Sequence, residues 1–375
     1  MSSLYEETGR LYRAELARAG IGRVGIVHKW GRPDLIAPYS DLDLRLILDT
    51  APTSWSGFDE RLAAAHHASV EADPAYARVL EHPPGFVFTR AELDSALVQP
   101  AEVATWTLTH GEQETLQMWR KHAVDEPWTA SDARFYRSLL EGRVGGRYRL
   151  TADAIDNVHH DIAGYRRHCV AWHYVAPCWF AAACLATRSR FPGKLDALTL
   201  WRPGATGPHA ERFAAHAGPE DAGSGVALHE LLRLARLAVD TALRHASGTP
   251  GGLPPADDPS IWRARAWTMT AGMLRAKPAR WVYYLDPPAG VATGYLIARE
   301  ARELRSAVLV LEQLAQGGPV EERRSAAAMA ALLPPAGAHT TPQVLRALLE
   351  RWTAAGPAVE AFLTGPYQET GRART

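Results

Sequence analysis

PYSDLDLRLILD, residues 38–49, is the stretch on which the reading of the fold turns. Side chains of a β-strand alternate between its two faces. On that spacing Asp41, Asp43 and Arg45 share one face, and Leu42, Leu44 and Leu46 share the other, the core face. Two carboxylates held side by side repel, and each raises the other's pKa. A divalent cation removes the repulsion. Mg2+ suits such a place, because it takes one or two carboxylates, keeps waters and completes its shell from substrate phosphates. With two ions, the pair serves both the attacking and the leaving oxygen of a phosphoryl transfer. The plainer alternative is a solvated edge strand with Asp41 capping a turn.

The flanking sequence gives this strand a setting. Upstream, Ser2 or Ser3 caps a helix that runs to about Ala19 and is ended by Gly20 and Gly22. RVGIV (23–27) reads as a first strand, and HKWGRPDLIAPYS (28–40), with two prolines and a glycine, as a loop. Downstream, DERLAAAHHASVEA (59–72) reads as a helix. AYARVLEH and GFVFT read as two strands joined by a turn at Pro83-Pro84-Gly85, and VATWTLT (103–109) as a further strand.

Beyond residue 111 helix formers dominate. Residues 151–190 read as one long helical region that Pro177 should kink or divide, and 225–246 as a second strong helix. Helices are expected over much of 261–333, and a final one begins at Pro342. The expectation is an α+β fold: a small mixed-sheet domain over residues 1–115, then a mainly helical domain over 116–375.

Ser40-Asp41-Leu42-Asp43-Leu44, placed early after a helix, a glycine, a strand and a glycine-containing loop, resembles the nucleotidyltransferase superfamily, which includes the aminoglycoside nucleotidyltransferases. The family's hallmark is a Gly-Ser after the first strand, a short loop, then Ser-Asp-hydrophobic-Asp-hydrophobic on the second strand. Phe86 to Leu93 is similar to the strand and turn after the family's third carboxylate, and Thr109-His110-Gly111-Glu112 to the end of its next strand. The resemblance covers about residues 4–115. It implies a nucleotidyltransferase-like domain in which Asp41 and Asp43 hold Mg2+. An NTP would donate its nucleoside monophosphate to a hydroxyl of a small-molecule acceptor, and the helical domain would help to hold that acceptor.

Two departures bear on this. The Gly-Ser is replaced by Val27-His28-Lys29-Trp30-Gly31-Arg32. There Lys29 and Arg32 are candidates to supply charge to the phosphates, Gly31 the turn, and Ser40 a further nucleotide contact; the alternative is a solvated basic loop. The family's third carboxylate, a metal ligand or base, has Glu81 as its nearest candidate. Counting back from Phe88 instead reaches Gly85, which has no side chain.

On a helix, Asp153, Asp156 and His160 fall on one face, where Asp156 or His160 is a candidate base for an acceptor hydroxyl; the alternative is a polar helix face with local pairs. Arg190 and Lys194, around Pro192-Gly193, form either a phosphate clamp or cations at a helix C-terminus. Trp281, Tyr283 and Tyr284 line a substrate pocket or belong to the core.

Composition bounds the rest. The 375 residues are 47% apolar and 22% charged with zero formal net charge, so no global attraction to nucleic acid or to an anionic membrane is expected. No run of eighteen apolar residues and no signal peptide is read. Three cysteines without CxxC spacing point to reduced thiols in the cytoplasm. The richness in Ala, Arg, Gly and Pro is that of a high-GC bacterium, which fits antibiotic or natural-product metabolism. Two rivals stand beside the transferase: an enzyme of the same fold with diverged, nucleotide-independent chemistry in a biosynthetic pathway, and a non-catalytic relative that binds a ligand or protein.

Overall fold

The computed structural model describes residues 4–31, 34–35, 40–73, 75–144, 167–200, 256–335 and 338–367. These form a mixed α+β structure, with a four-stranded sheet between two layers of helices. Helix α1 (Leu4–Arg18) passes through Gly20, at φ 77°, into β1 (Val24–Lys29). Strand β2 (Leu44–Leu48) is followed by α2 (Phe58–Glu71) and the single turn α3 (Tyr76–Val79). Strand β3 (Phe86–Thr89) runs directly into α4 (Arg90–Asp94), and α5 (Pro100–Val103) precedes β4 (Trp106–His110). Helices α6 (Gln113–Asp125), α7 (Ala130–Val144), α8 (Arg167–Thr187) and α9 (Lys194–Leu200) come next. Then follow α10 (Pro259–Leu274), α11 (Lys277–Leu285), α12 (Gly294–Gln316), α13 (Val320–Leu332), α14 (Pro342–Ala354) and α15 (Gly356–Thr364).

The strand order is β3-β2-β1-β4. Strand β1 is antiparallel to both β2 and β4, and β2 is parallel to β3, so the sheet is mixed. Every residue of β2 is buried. Leu44, Leu46 and Leu48 join Ile26 and Val87 in one apolar cluster with Tyr12 and Leu16 of α1 and Leu62 of α2. Ile47 on the opposite face joins Val27, Phe88 and Trp106 in a second, closed by Leu93, Leu116 and Trp119. The expectation of a single core face is therefore corrected. Helices α4 to α6 cover the other face, and a sheet covered on both sides buries its polar members as well.

Other expectations are corrected locally. The run AYARVLEH holds the helical turn α3 instead of a strand. The Asp73 carboxylate accepts the Ala75 N–H at 2.8 Å, and the Tyr76 N–H reaches the Asp73 carbonyl at 2.9 Å, so a local turn at Asp73 leads into α3 where β-branched residues are scarce. Strand β4 starts at Trp106 rather than Val103, because Pro100 opens a helical turn ahead of it. Helix α8 runs through Pro177 without a break. Expectations for 151–166 and 225–246 lie outside the described residues.

The C-terminal helices return to the sheet. Gly272 of α10 lies so close to Phe88 of β3 that a Cβ there would meet the ring at 2.4 Å. The Glu360 carboxylate of α15 accepts the Trp55 N–H at 2.8 Å, and the indole N–H of Trp267 donates to the Phe362 carbonyl at 3.2 Å. The larger apolar cluster runs from Tyr12 to Leu363 and takes in residues from both sides of position 115.

His66 of α2 is fully buried beneath this return, edge-on to Tyr12 at 5.7 Å and to Tyr283 of α11 at 4.6 Å. Neither ring nitrogen makes a well-formed hydrogen bond. Burial, then the charge of Arg280, push the imidazole pKa from 6.5 down to about 3, against a smaller opposing contact with the Leu80 backbone. The unfolded chain thus binds a proton below pH 6.5 that the folded chain refuses until about pH 3. Stability should be fully present above that window and fall through it by about 1.4 kcal/mol per pH unit for this one group. His66→Phe should remove that component of the slope, seen as a smaller loss of urea midpoint between pH 7 and 4.

Candidate functional site

Strand β2 is entered through Ser40-Asp41-Leu42-Asp43, and this approach is pinned from both sides. The Leu42 N–H donates to the Val79 carbonyl at the end of α3 at 2.8 Å, and the Lys29 N–H donates to the Asp43 carbonyl at 3.2 Å. Leu42 sits in the core at 3% exposure, which turns Asp41 and Asp43 the other way. Both keep partial access to solvent, and the Asp43 side chain is 35% exposed.

The chain after α3 brings a second pair to the same place. The imidazole of His82 is 1% exposed, with Nε2 3.8 Å from the Glu81 Oε2 and 3.8 Å from the Asp43 Oδ1. Asp41, Glu81 and His82 each offer a donor atom within 4.8 Å of the others. Guanidinium groups ring the acids: Arg299 Nη1 of α12 lies 3.8 Å from Glu81 Oε2, and Arg45 Nη1 lies 3.9 Å from Asp43 Oδ1. Arg45 also donates to the Asp43 carbonyl at 2.6 Å.

Their electrostatics diverge. Burial, then the charges of Glu81 and Asp43, push the Asp41 carboxyl well above the usual carboxylate range. Burial works the same way on Asp43, but Arg45, Arg299 and Lys29 outweigh it and hold that carboxyl low. Burial, then Arg280 and Arg299, keep His82 well below the usual imidazole value, so the ring is neutral. The site thus places a reluctant carboxylate beside a firmly ionised one, the separation of acidities by which one fold handles proton transfer.

Behind it lies a buried ion cluster. The Glu102 carboxylate accepts from Lys29 Nζ at 3.1 Å, Arg45 Nε at 2.8 Å and the Trp106 indole at 3.3 Å. Burial raises its pKa, and the two cations more than offset that and bring it to about 2. Glu303 binds Arg280 at 3.0 Å and Arg299 at 3.2 Å, and Lys277 bridges Glu300 at 2.8 Å and Glu303 at 2.5 Å.

The expected site residues are placed unequally. Asp41, Asp43 and Glu81 come together. Ser40 is fully buried at the head of the segment. Lys29 is the last residue of β1 and is not on a solvated loop; its ammonium is balanced by Glu102 and lies 5.3 Å from the rings of both Trp30 and Phe135. Gly31 follows Trp30, which itself takes the positive φ of 69° and packs edge-on to Phe180 at 4.6 Å. Lys194 returns to this turn, with its ammonium 5.2 Å over the Trp30 ring, while its N–H donates to the Asp34 carboxylate at 2.8 Å. Arg190 forms no clamp: its guanidinium grips Asp132 at 2.9 and 2.6 Å and the carbonyls of Ala123, Glu126 and Pro127. Trp281, Tyr283 and Tyr284 are core residues, each at most 3% exposed. Arg32, Asp156 and His160 lie outside the described residues.

Sequence reasoning passed over His82, Arg280 and Arg299. The only signal was their chemistry, an imidazole beside Glu81 and two arginines on apolar helices, because the contacts that unite them span about two hundred residues of chain. A cavity of about 440 Å3 lies elsewhere, between α4, α5 and α6, and none of the four site residues lines it. No helix among the described residues is long and apolar enough to cross a membrane. No family model, no curated protein and no solved structure matches this chain.

Proposed function

We propose that this protein is a metal-dependent nucleotidyltransferase, moving a nucleoside monophosphate from an NTP to a hydroxyl group of a small molecule in antibiotic or natural-product metabolism. The observation that carries this reading is the meeting of Asp41, Asp43 and Glu81, from two separate segments, under the charges of Arg45 and Arg299. Hard carboxylate oxygens are fitting ligands for Mg2+, and the pKa of Asp41, raised first by burial and then by Glu81 and Asp43, is that of a carboxylate a cation would relieve. Asp41 and Asp43 would hold the metal, which supplies Lewis-acid stabilisation of the phosphoryl oxygens. Glu81 is the group to take the acceptor's hydroxyl proton, and Arg299 stands where negative charge develops.

A second reading is favoured by one feature. Trp30 fills the turn after β1, where the resemblance calls for a glycine and close backbone approach to a triphosphate. With Lys29 already balanced by Glu102, the fold suits a nucleotide-independent reaction in the same cleft.

Isothermal calorimetry with ATP, CTP, GTP and UTP, each with and without Mg2+, separates the two. The first reading expects at least one nucleotide to bind only with metal. Folded protein that binds none of the four would overturn it in favour of the second.

A further inference from the structure

The cavity of about 440 Å3 between α4, α5 and α6 falls within the roughly 300–1,000 Å3 of sites that hold a small organic molecule. Leu93, Val98, Val103 and Trp119, each at most 8% exposed, make an apolar floor. Met118, at 55% exposure, stands at the mouth, where its flexible thioether adapts to what enters. The wall between α4 and α5 turns at Ala96, whose φ of 53° is the left-handed conformation usually given to glycine. The Leu97 N–H donates to the Glu92 carbonyl at 2.9 Å, and Arg265 Nε of α10 donates to the Ala96 carbonyl at 3.1 Å, so this strained turn is held from both sides.

The rim is charged, and its charges are unequally engaged. The indole N–H of Trp119 donates to Asp94 Oδ1 at 2.8 Å, which fixes the ring. The second Asp94 oxygen has no hydrogen-bond partner among the described residues, and no cation among them forms an ion pair with it. Arg90 is held by Glu112 at 3.1 Å and Asp49 at 3.7 Å, ahead of Asp94. Glu126 is held by Arg265 at 2.5 Å. With these partners included, two guanidinium groups stand against four carboxylates around the cavity. An anionic guest would add to that excess, whereas a cation reduces it and supplies the missing donor to Asp94.

We propose that this cavity binds a small apolar molecule bearing one amine, with the ammonium on the Asp94 carboxylate and the apolar body on Leu93, Val98, Val103 and Trp119 beneath Met118. The pairing follows the usual division of a small-molecule site, in which apolar walls supply affinity and a single placed polar group fixes orientation. The inference stands on α4 to α6 alone. It needs neither the acidic group at the head of β2 nor a nucleotide, so the failure of either reading leaves the other untouched.

The test titrates the full-length protein, methyl-labelled at its five methionines, with phenylpropylamine, phenylpropanol and phenylpropanoate, and follows the methyl signals by NMR. The three probes share one apolar body and differ in the head group. Met118→Leu assigns the signal at the mouth. Phenylpropylamine should shift the Met118 methyl to saturation and leave that of Met329, which belongs to the larger cluster. Its affinity should exceed that of the alcohol by about tenfold or more, the scale of a hydrogen bond to a charged group, and the acid should bind most weakly. Asp94→Asn keeps an oxygen for the Trp119 indole and should bring the amine down to the affinity of the alcohol. The wild-type ranking decides the matter even if that variant does not fold. Equal binding of amine and alcohol, or a preference for phenylpropanoate, would overturn the inference. So would a Met118 signal that none of the three probes moves.

Discussion

Asp41→Asn should weaken metal-dependent nucleotide binding by at least about a hundredfold, the upper end of what losing a mere outer-shell partner costs, while leaving the fold as stable as before or more so. The two halves of this result have one cause. Asp41 is pushed toward its protonated form by burial, Glu81 and Asp43, so its negative charge is a burden to the folded chain when no cation balances it. An amide of the same shape removes that burden and with it the ligand. Asp43→Asn should behave differently. Its carboxylate is held ionised by Arg45, Arg299 and Lys29, so the amide forfeits favourable charge and should lower stability as well as binding. Calorimetric titration with the nucleotide and metal that bind the wild type, together with urea melts of both variants, checks this. An Asp41→Asn variant that bound as the wild type would show that the acid pair is not the metal site.

Glu102→Ala should cost about 3–5 kcal/mol of folding stability, the range for removing one member of a buried ion pair. Glu102 answers Lys29 and shares Arg45 with Asp43, and both cations are buried and point at it from neighbouring strands. Truncation leaves Lys29 without its bonded counter-charge and Arg45 with only the longer contact to Asp43 in a low-dielectric interior. Glu102→Gln should cost less, because the amide oxygen still accepts a hydrogen bond. The same carboxylate sets an acid limit: its folded pKa of about 2 lies below the ordinary 4.5, so its contribution is complete above pH 4.5 and disappears as pH falls through 2. Urea denaturation at neutral pH measures the first effect. A Glu102→Ala shift below about 1 kcal/mol, the scale of an exposed pair, would mean the cluster is hydrated and loosely held.

The sequence carried the strands of the sheet and the acid pair at the head of β2, because alternation and turn chemistry are local properties. It did not carry the covering of the second face. Arg45 reads as a solvated neighbour of Asp41 and Asp43, yet it lies at 5% exposure because α4 to α6 close over it. Basic residues were the least legible. Lys29 and Arg190 look like phosphate contacts on a one-dimensional chain, and both are consumed by buried carboxylates, Glu102 and Asp132, far away in sequence. Glu81 reads as the end of a strand, and its position is instead set by the single turn α3, into which the turn at Asp73 leads. His82 escaped because a lone histidine has no spacing to give it away. Its meaning comes from Arg280 and Pro83 around it.

The return of α10 to α15 onto the first sheet also bears on how the chain is made. Synthesis runs from the N-terminus, so Tyr12, Leu62 and Val87 leave the ribosome long before Trp267, Trp281 and Phe362, which share their cluster. Until Glu360 can reach the Trp55 amide, the nascent sheet has α1, α2 and α4 to α6 on its faces, but the apolar side chains that meet Trp267, Trp281 and Phe362 stay bare. Contacts separated by some three hundred residues also slow the search for the native state. A nascent chain of this architecture waits, with part of its apolar cluster uncovered, for its own distal helices, and that interval is when chaperones would have a surface to hold.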